Sequence, residues 1–431
     1  MKQPAGYYFI ILSLVFCFCG SASAKTHDCG TATYKKDFLY SIDYKMCLNG
    51  KEYKQIGLNK FDLFFQYLEC NPSENCPQKS KAKKALKEMG DHGFKIIRLI
   101  GSDFYTKQFY ERFFDKDPEI QKQKRAKHKA TVDELLNDCE KSGIDKVIWV
   151  NVWNIELLAD LGGHSLRGGL TDPNSIGFRR AMEYVRFMVE NFKDDPRIAG
   201  WEVPGNEYDL SANHDNKYGI LQSRNEKECK ILHEGPDKPL RLCFDDPLSI
   251  MPVVRDRSNN FTYDDLAKYN HLMSAVVREI DKNHLIISGH SSVRGVGVTD
   301  QQRADDFKKI HSGLEVTSFH SYEHLYLFDV FEKSTKEMSK PGIVGEIGPD
   351  ASVKPRDLSW TSKRNIEYTK KIIRKFLKSD FSIMLPWAYA DDRGIEDESN
   401  RIFYLRYGDT DTPLRLFEKA NKQIRARLNN N

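Results

Sequence analysis

Short runs of apolar and β-branched residues alternate along this chain with longer segments whose apolar positions recur every three to four residues. Residues 53–58, 94–99, 146–152, 198–203, 285–288, 316–319, 342–345 and 382–385 read as strands, each a brief apolar run bounded by turn-forming or charged residues. Residues 79–91 carry Ala82, Ala85, Leu86 and Met89 at helical spacing, and helices are also expected over 176–192, 362–378 and 413–428. Thr131 with Glu134, and Thr262 with Asp265, are capping patterns that predict two more helix starts. Strands alternating with helices predict parallel pairing through helical crossovers. Eight such units predict a single-domain α/β protein, a (β/α)8 TIM barrel. An open doubly wound sheet is the other arrangement, but no glycine-rich phosphate loop follows an early strand.

The ends of the pattern and its gaps add detail. Lys2, the apolar run 9–19 and Ala22-Ser23-Ala24 make residues 1–24 a secretory signal peptide, leaving 25–431 as the barrel domain. No other stretch is long and apolar enough to cross a bilayer. The expectation is therefore a secreted, extracellular protein, free of the membrane once cleaved and monomeric. Export favours disulfides. The close spacings suggest Cys29–Cys47, Cys70–Cys76 and Cys229–Cys243, with Cys139 left free, although sequence alone fixes no connectivity. Asn260-Phe261-Thr262 is a glycosylation sequon, of use only in a eukaryotic host. Lys and Arg number 66 against 62 Asp and Glu, a net charge of +4 that gives no pull toward nucleic acid. The basic residues between Lys122 and Lys129 read as a solvated helix face. Insertions interrupt the units at about 100–130 and 208–260, and such loops on a barrel set specificity.

The candidate chemistry lies in two glutamates in matching settings. Glu207 follows Gly200-Trp201-Glu202-Val203-Pro204-Gly205-Asn206, and Glu346 follows Gly342-Ile343-Val344-Gly345. Each stands at the C-terminal end of a predicted strand, where barrel enzymes carry their chemistry. Arg98, Asn206, His320, Tyr322 and Trp387 fall at or just past strand ends too. Two carboxyl groups facing one sugar ring, one protonated and one ionised, are what glycosidic hydrolysis needs. No His or acid pair has metal-ligand spacing and no Gly-x-Ser-x-Gly elbow occurs, so neither a metal nor another cofactor is expected.

These pieces in their order resemble glycoside hydrolase family 5, the cellulase and endo-β-mannanase-like retaining enzymes of the same barrel clan. The matching segments are Gln55-Ile56-Gly57-Leu58-Asn59, Ile97-Arg98, Trp201-Glu202, Asn206-Glu207, Ser318-Phe319-His320-Ser321-Tyr322, Val344-Gly345-Glu346-Ile347-Gly348 and Leu385-Pro386-Trp387. The resemblance implies that Glu207 is the acid/base and Glu346 the nucleophile. It implies that Asn206 holds the sugar 2-hydroxyl, that Arg98 and Tyr322 keep Glu346 ionised, that His320 lines the site near Glu207 and that Trp387 lies under the sugar. Asn151, Trp153 and His290 are further candidates for the cleft, with His290 more structural than catalytic, and Asn59 either faces the cleft or closes the turn after strand one.

The chain departs from the family pattern at strand four, where Tyr208 replaces the usual proline and Pro204-Gly205 adds a residue before Asn206. A bulge absorbs such a residue. Otherwise Glu202, read first as a brace of the strand, becomes the substitute acid. The expected partner is a polysaccharide or oligosaccharide, most of all β-1,4-mannan. A β-1,4-glucanase of the same family, or an inactive glycan-binding barrel, is the competing reading.

Overall fold

The computed structural model describes residues 29–103, 106–152, 171–203, 230–232, 240–242, 262–290, 299–322, 325–349, 359–390, 404–408 and 411–430. The chain opens with a small antiparallel sheet of β1 (Leu39–Ile42), β2 (Lys45–Leu48) and β3 (Lys51–Glu52). The first predicted barrel strand is two short pieces, β4 (Gln55–Ile56) and β5 (Leu58–Asn59), on either side of Gly57. A Cβ at Gly57 would lie 2.3 Å from the Ile96 carbonyl oxygen and 2.8 Å from the Leu385 side chain, so only glycine fits between the two neighbouring strands. The remaining strands are β6 (Ile96–Ile100), β7 (Lys146–Val150), β8 (Ile198–Glu202), the short antiparallel pair β9 (Lys230–Leu232) and β10 (Leu240–Leu242), β11 (Leu285–Ile287), β12 (Thr317–Ser321), β13 (Gly342–Ile347) and β14 (Ile383–Pro386).

Two parallel sheets result, in the orders β11-β8-β7-β6-β5 and β12-β13-β14-β4. They meet at Gly57 and at a parallel bridge between Ile287 and Val316. There the Val316 amide donates to the Ile286 carbonyl at 3.1 Å, and the Ser288 amide to the Val316 carbonyl at 3.2 Å. The two junctions complete a ring of eight predicted strands in sequence order.

The helices are α1 (Leu63–Leu68), α2 (Pro77–Asp91), α3 (Thr106–Phe113), α4 (Pro118–Lys141), α5 (Ile176–Phe192), α6 (Tyr263–Ile280), α7 (Asp300–Ile310), α8 (Leu327–Glu337), α9 (Lys363–Lys378) and α10 (Asp411–Asn430). The expected capping box of Thr262 and Asp265 starts α6, and a second one, Thr299 with Gln302, starts α7. The box expected at Thr131 does not form. Helix α4 begins thirteen positions earlier at Pro118, capped by Asp117, whose side chain accepts from the amides of Glu119 and Ile120. The Thr131 hydroxyl donates instead to the Lys127 carbonyl inside the helix. Much of the expected loop insertion at 100–130 is therefore the helices α3 and α4. The polar half of α4 is held by charge: Lys124 pairs with Asp115 at 2.7 Å, Arg125 with Glu183, and Lys129 with Asp133 at 2.6 Å.

Side-chain alternation divides the core into layers. Ile96, Ile148, Ala199, Ile287, Val316, Ile343 and Ile383 fill the barrel interior. Leu39 and Met46 join them from the N-terminal sheet, closing the end of the barrel away from the strand C-termini. A larger apolar layer lies between strands and helices, with Trp149, Trp201, Phe319 and Val344 among its members. Disulfides Cys29–Cys47 and Cys70–Cys76 are formed and Cys139 is free and buried, as expected. No described helix is long and apolar enough to cross a membrane. The signal segment, the Cys229–Cys243 pair and Asn260 lie outside the described residues.

Candidate active site

Strict alternation along β13 would turn Glu346 outward. Ile343 faces the interior and Val344 the helices, so the next inward position should be 345. The register skips there: Phe319 pairs with Val344, but His320 pairs with Glu346. This one-residue bulge at Gly345 resets the phase and sends Glu346 inward. A Cβ at Gly345 would stand 2.7 Å from the Ser318 hydroxyl, so the tight approach of β12 requires glycine. Strand β8 repeats the device. Ala199 faces in and Trp201 out, the register with β7 skips from Ile198 to Gly200, and Glu202 turns inward.

Between the two carboxylates lies Arg98, from β6, almost wholly buried. Its Nε donates to Glu202 Oε2 and its Nη2 to Glu202 Oε1, both at 2.6 Å. Its Nη1 donates to Glu346 Oε1 and to Asn59 Oδ1, both at 3.1 Å. The other Glu346 oxygen accepts from the Tyr322 hydroxyl at 2.7 Å and lies 3.2 Å from His320 Nδ1. Four residues implied by the resemblance, Arg98, His320, Tyr322 and Glu346, thus meet at the C-terminal rim of the barrel.

The electrostatics follow from these contacts. Burial alone would raise the Glu346 carboxyl. The facing His320, the Arg98 guanidinium and the Tyr322 hydroxyl outweigh it and hold Glu346 below the usual carboxylate range. Glu202 goes the other way: burial pushes it up, Arg98 opposes this, and Glu346 adds to the rise. Glu202 is wholly buried and both its oxygens accept from Arg98. It is therefore not placed to protonate a leaving group, and the substitute-acid reading is corrected.

Asn59 is corrected as well. It is a cross-brace and not a cleft residue: its amide donates to the carbonyls of Gly345 at 3.0 Å and Leu385 at 3.1 Å while its oxygen holds Arg98. Trp387 is 8% exposed and stacks on Phe61 at 5.1 Å, in an apolar cluster with Val150, Ile100 and Tyr404 against which Tyr322 packs. Asn151 is buried just past β7, and among the described residues neither of its side-chain polar atoms has a hydrogen-bond partner. The His290 ring lies near those of Tyr263 and His311, with centroids 6.4 and 6.2 Å away. Asn206, Glu207 and Trp153 lie outside the described residues.

Sequence reasoning missed a second support. Lys60 and Asp62, both wholly buried, pair at 2.5 Å, and Lys60 also donates to the Ala390 carbonyl at 2.7 Å. With the Tyr389 amide bonded to the Asn59 carbonyl at 2.7 Å, this ties the segment after Trp387 to the end of β5. Two charged residues within three positions of Asn59, Lys60 and Asp62, were the available signal. No group of His, Cys, Asp and Glu among the described residues could hold a metal ion.

An acid cluster at the C-terminal rim of an eight-stranded parallel ring sets the class: the fold is that of the family 5 glycoside hydrolases. Among solved structures the chain is similar to the endo-1,4-beta-mannanase from Rhizomucor miehei, with a TM-score of 0.59 and 16% identity over 90% of this chain and 99% of that one. It is also similar to the family 5 mannosidase from Rhizomucor miehei, with a TM-score of 0.57 and 12% identity over 91% and 99% of the two chains. The hyperthermostable endo-1,4-beta-D-mannanase from Thermotoga petrophila gives a TM-score of 0.53 and 15% identity over 86% and 100%. At these identities the likeness is one of fold. No family model matches the chain, and no curated protein sequence does.

Proposed function

We propose that this chain is a secreted retaining glycoside hydrolase that cleaves β-1,4-linked polysaccharide, with β-mannan as its substrate. The observation that carries the reading is Glu346, a buried carboxylate held ionised by Arg98, Tyr322 and His320 at the rim where barrel enzymes do their chemistry. The mannan preference rests on the fold shared with mannanases and a mannosidase.

In this reading a Glu346 oxygen attacks the anomeric carbon while the carboxyl of Glu207 gives its proton to the departing glycosidic oxygen. The bond to the leaving sugar breaks and a glycosyl ester on Glu346 forms. Glu207, now ionised, takes a proton from water, the water oxygen attacks the same carbon, and Glu346 leaves as a carboxylate. Arg98 and Tyr322 keep Glu346 unprotonated before attack and stabilise it again on departure. Asn206 holds the 2-hydroxyl and Trp387 supports the ring. Residues 25–431 act as one catalytic domain in this reading. The two formed disulfides accord with an exported protein.

The test is hydrolysis of mannan, glucan and xylan by the wild-type chain and by Glu346→Gln and Glu207→Gln. Wild-type turnover of mannan, lost by at least about a thousandfold in each variant, is the expected result. A mechanism-based fluoro-sugar should label Glu346. Absence of both labelling and turnover, with the polymer still bound, would replace the enzyme by a glycan-binding barrel.

A further inference from the structure

Arg98 is the hinge of the rim cluster, yet most of its hydrogen bonds to the described residues point away from Glu346. Its Nε and Nη2 form a fork on Glu202 at 2.6 Å, while one nitrogen, Nη1, reaches Glu346 at 3.1 Å. A bidentate guanidinium–carboxylate pair fixes a plane as well as a distance. Glu202 is itself fixed. Its carbonyl accepts from the Asn151 amide at 3.3 Å, and the Val203 amide that follows it donates to the Ile287 carbonyl at 3.0 Å. Its strand is held on both sides, by β7 and β11. Asn59 finishes the orientation by taking the same Nη1 that meets Glu346.

We propose that Glu202 is a positioning residue for the reaction: a fixed counter-ion that aims Arg98 at Glu346 and withholds part of its charge. This rests on the reading of Glu346 as the nucleophile. A nucleophile needs a cation near enough to keep it ionised, but a guanidinium devoted to it would hold its lone pairs and oppose attack, because charge on Glu346 disappears as the ester forms. Among the described residues, Glu202 shares the guanidinium charge with Glu346, and its fork on Nε and Nη2 leaves Nη1 to meet Glu346. Glu202 touches neither substrate nor reacting atoms; it acts through Arg98.

The reading separates from a merely structural role in the titration of Glu346. Removing the Glu202 charge leaves more of the Arg98 guanidinium charge for Glu346 and removes a like charge from the same pocket. Carbon-13 NMR of protein labelled at the glutamate carboxyl carbons, with Glu346→Gln to assign the Glu346 signal, reads this directly. In Glu202→Gln the Glu346 midpoint should fall by roughly one pH unit. In Glu202→Asp, which keeps the charge, it should return close to the wild-type value. An unchanged or raised midpoint in folded Glu202→Gln overturns the proposal.

A second readout does not depend on that variant folding. The Arg98 Nε hydrogen, held by Glu202, should exchange slowly with water and remain slow in Glu346→Gln. Fast exchange there would mean that Glu346 holds Arg98, and the proposal falls. Neither measurement needs turnover, so a chain that hydrolyses no β-glycan refutes the proposed function and leaves these outcomes readable. In an active enzyme, Glu202→Gln should also lower kcat about tenfold with little change in KM and carry the acid limb of kcat/KM to lower pH.

Discussion

Glu346 shows how one carboxyl acquires a function from its neighbours. Burial disfavours its charge, and His320, Arg98 and Tyr322 together reverse that preference. Tyr322 is the cleanest to remove, since its hydroxyl donates to Glu346 Oε2 at 2.7 Å and its ring packs against the Trp387 cluster. A hydrogen bond to an ionised group is worth about 1.5–3 kcal/mol. Tyr322→Phe should therefore lower kcat/KM roughly tenfold or more. Because the lost bond favoured the charged form, the acid limb should move to higher pH, opposite to Glu202→Gln. A pH–rate profile of the two variants checks both signs at once; limbs that move together would contradict the assigned partners. Asn59 shows what residue-by-residue reading misses. At a strand end it resembles a cleft residue, but its donors and acceptor are spent on β13, β14 and Arg98, a fact that lies in the pairing of distant strands.

At the scale of elements, the placement of Glu346 depends on a glycine that no apolar period reveals. The sequence marks β13 and its C-terminal end, and a strict alternation then predicts the wrong face. The bulge is recognised only with β12 alongside, where Phe319 and His320 pair across the skipped position. Gly345→Ala would place a methyl carbon 2.7 Å from Ser318 Oγ and 3.0 Å from His320 Nε2. The strand must move or His320 must leave Glu346. The expected cost is about 1–3 kcal/mol, as for overpacking elsewhere. Chemical denaturation should show it, with a rise in the Glu346 midpoint as His320 withdraws. A variant as stable as wild type with an unshifted midpoint would mean that the bulge has slack. Helix α4 is the converse case. Its start signal, Asp117-Pro118, was present in the sequence, but residues 119–130 lack an apolar stripe because ion pairs and the stacking of Arg125 on Phe113 at 5.0 Å hold that half down. Periodicity does not report a helix fastened by charge.

The whole molecule sets a limit that the rim does not. The order of the eight strands and most of their helices was legible because each unit is local, though α7 and α8 were not placed, whereas closure of the ring at Gly57 and at Ile287–Val316 is a property of the assembled sheet. That closed core also buries His128 and His311. Burial, with Arg112 adding to it, pushes His128 down to about 3, and its ring sits edge-on to Phe64, Phe113 and Phe187. Burial likewise pushes His311 down to about 3. Its Nδ1 meets the Phe307 carbonyl at 2.7 Å and its Nε2 accepts from the Ser318 amide at 3.1 Å, an arrangement open only to the neutral ring. Both groups bind protons in the unfolded chain near pH 6.5 and resist them when folded. Their contribution is complete above pH 6.5 and is lost as pH falls toward 3, at about 2 kcal/mol each by pH 5. Glu346, by contrast, is held below the usual carboxylate range. The expectation is that the fold weakens in acid before the nucleophile is protonated. Initial rates taken within seconds of dilution should persist to lower pH than activity after long incubation. Replacing His128 by Phe, which suits its aromatic surroundings, should flatten the fall of unfolding free energy between pH 6.5 and 5 by about 2 kcal/mol. An unaltered slope would locate the acid sensitivity in other groups.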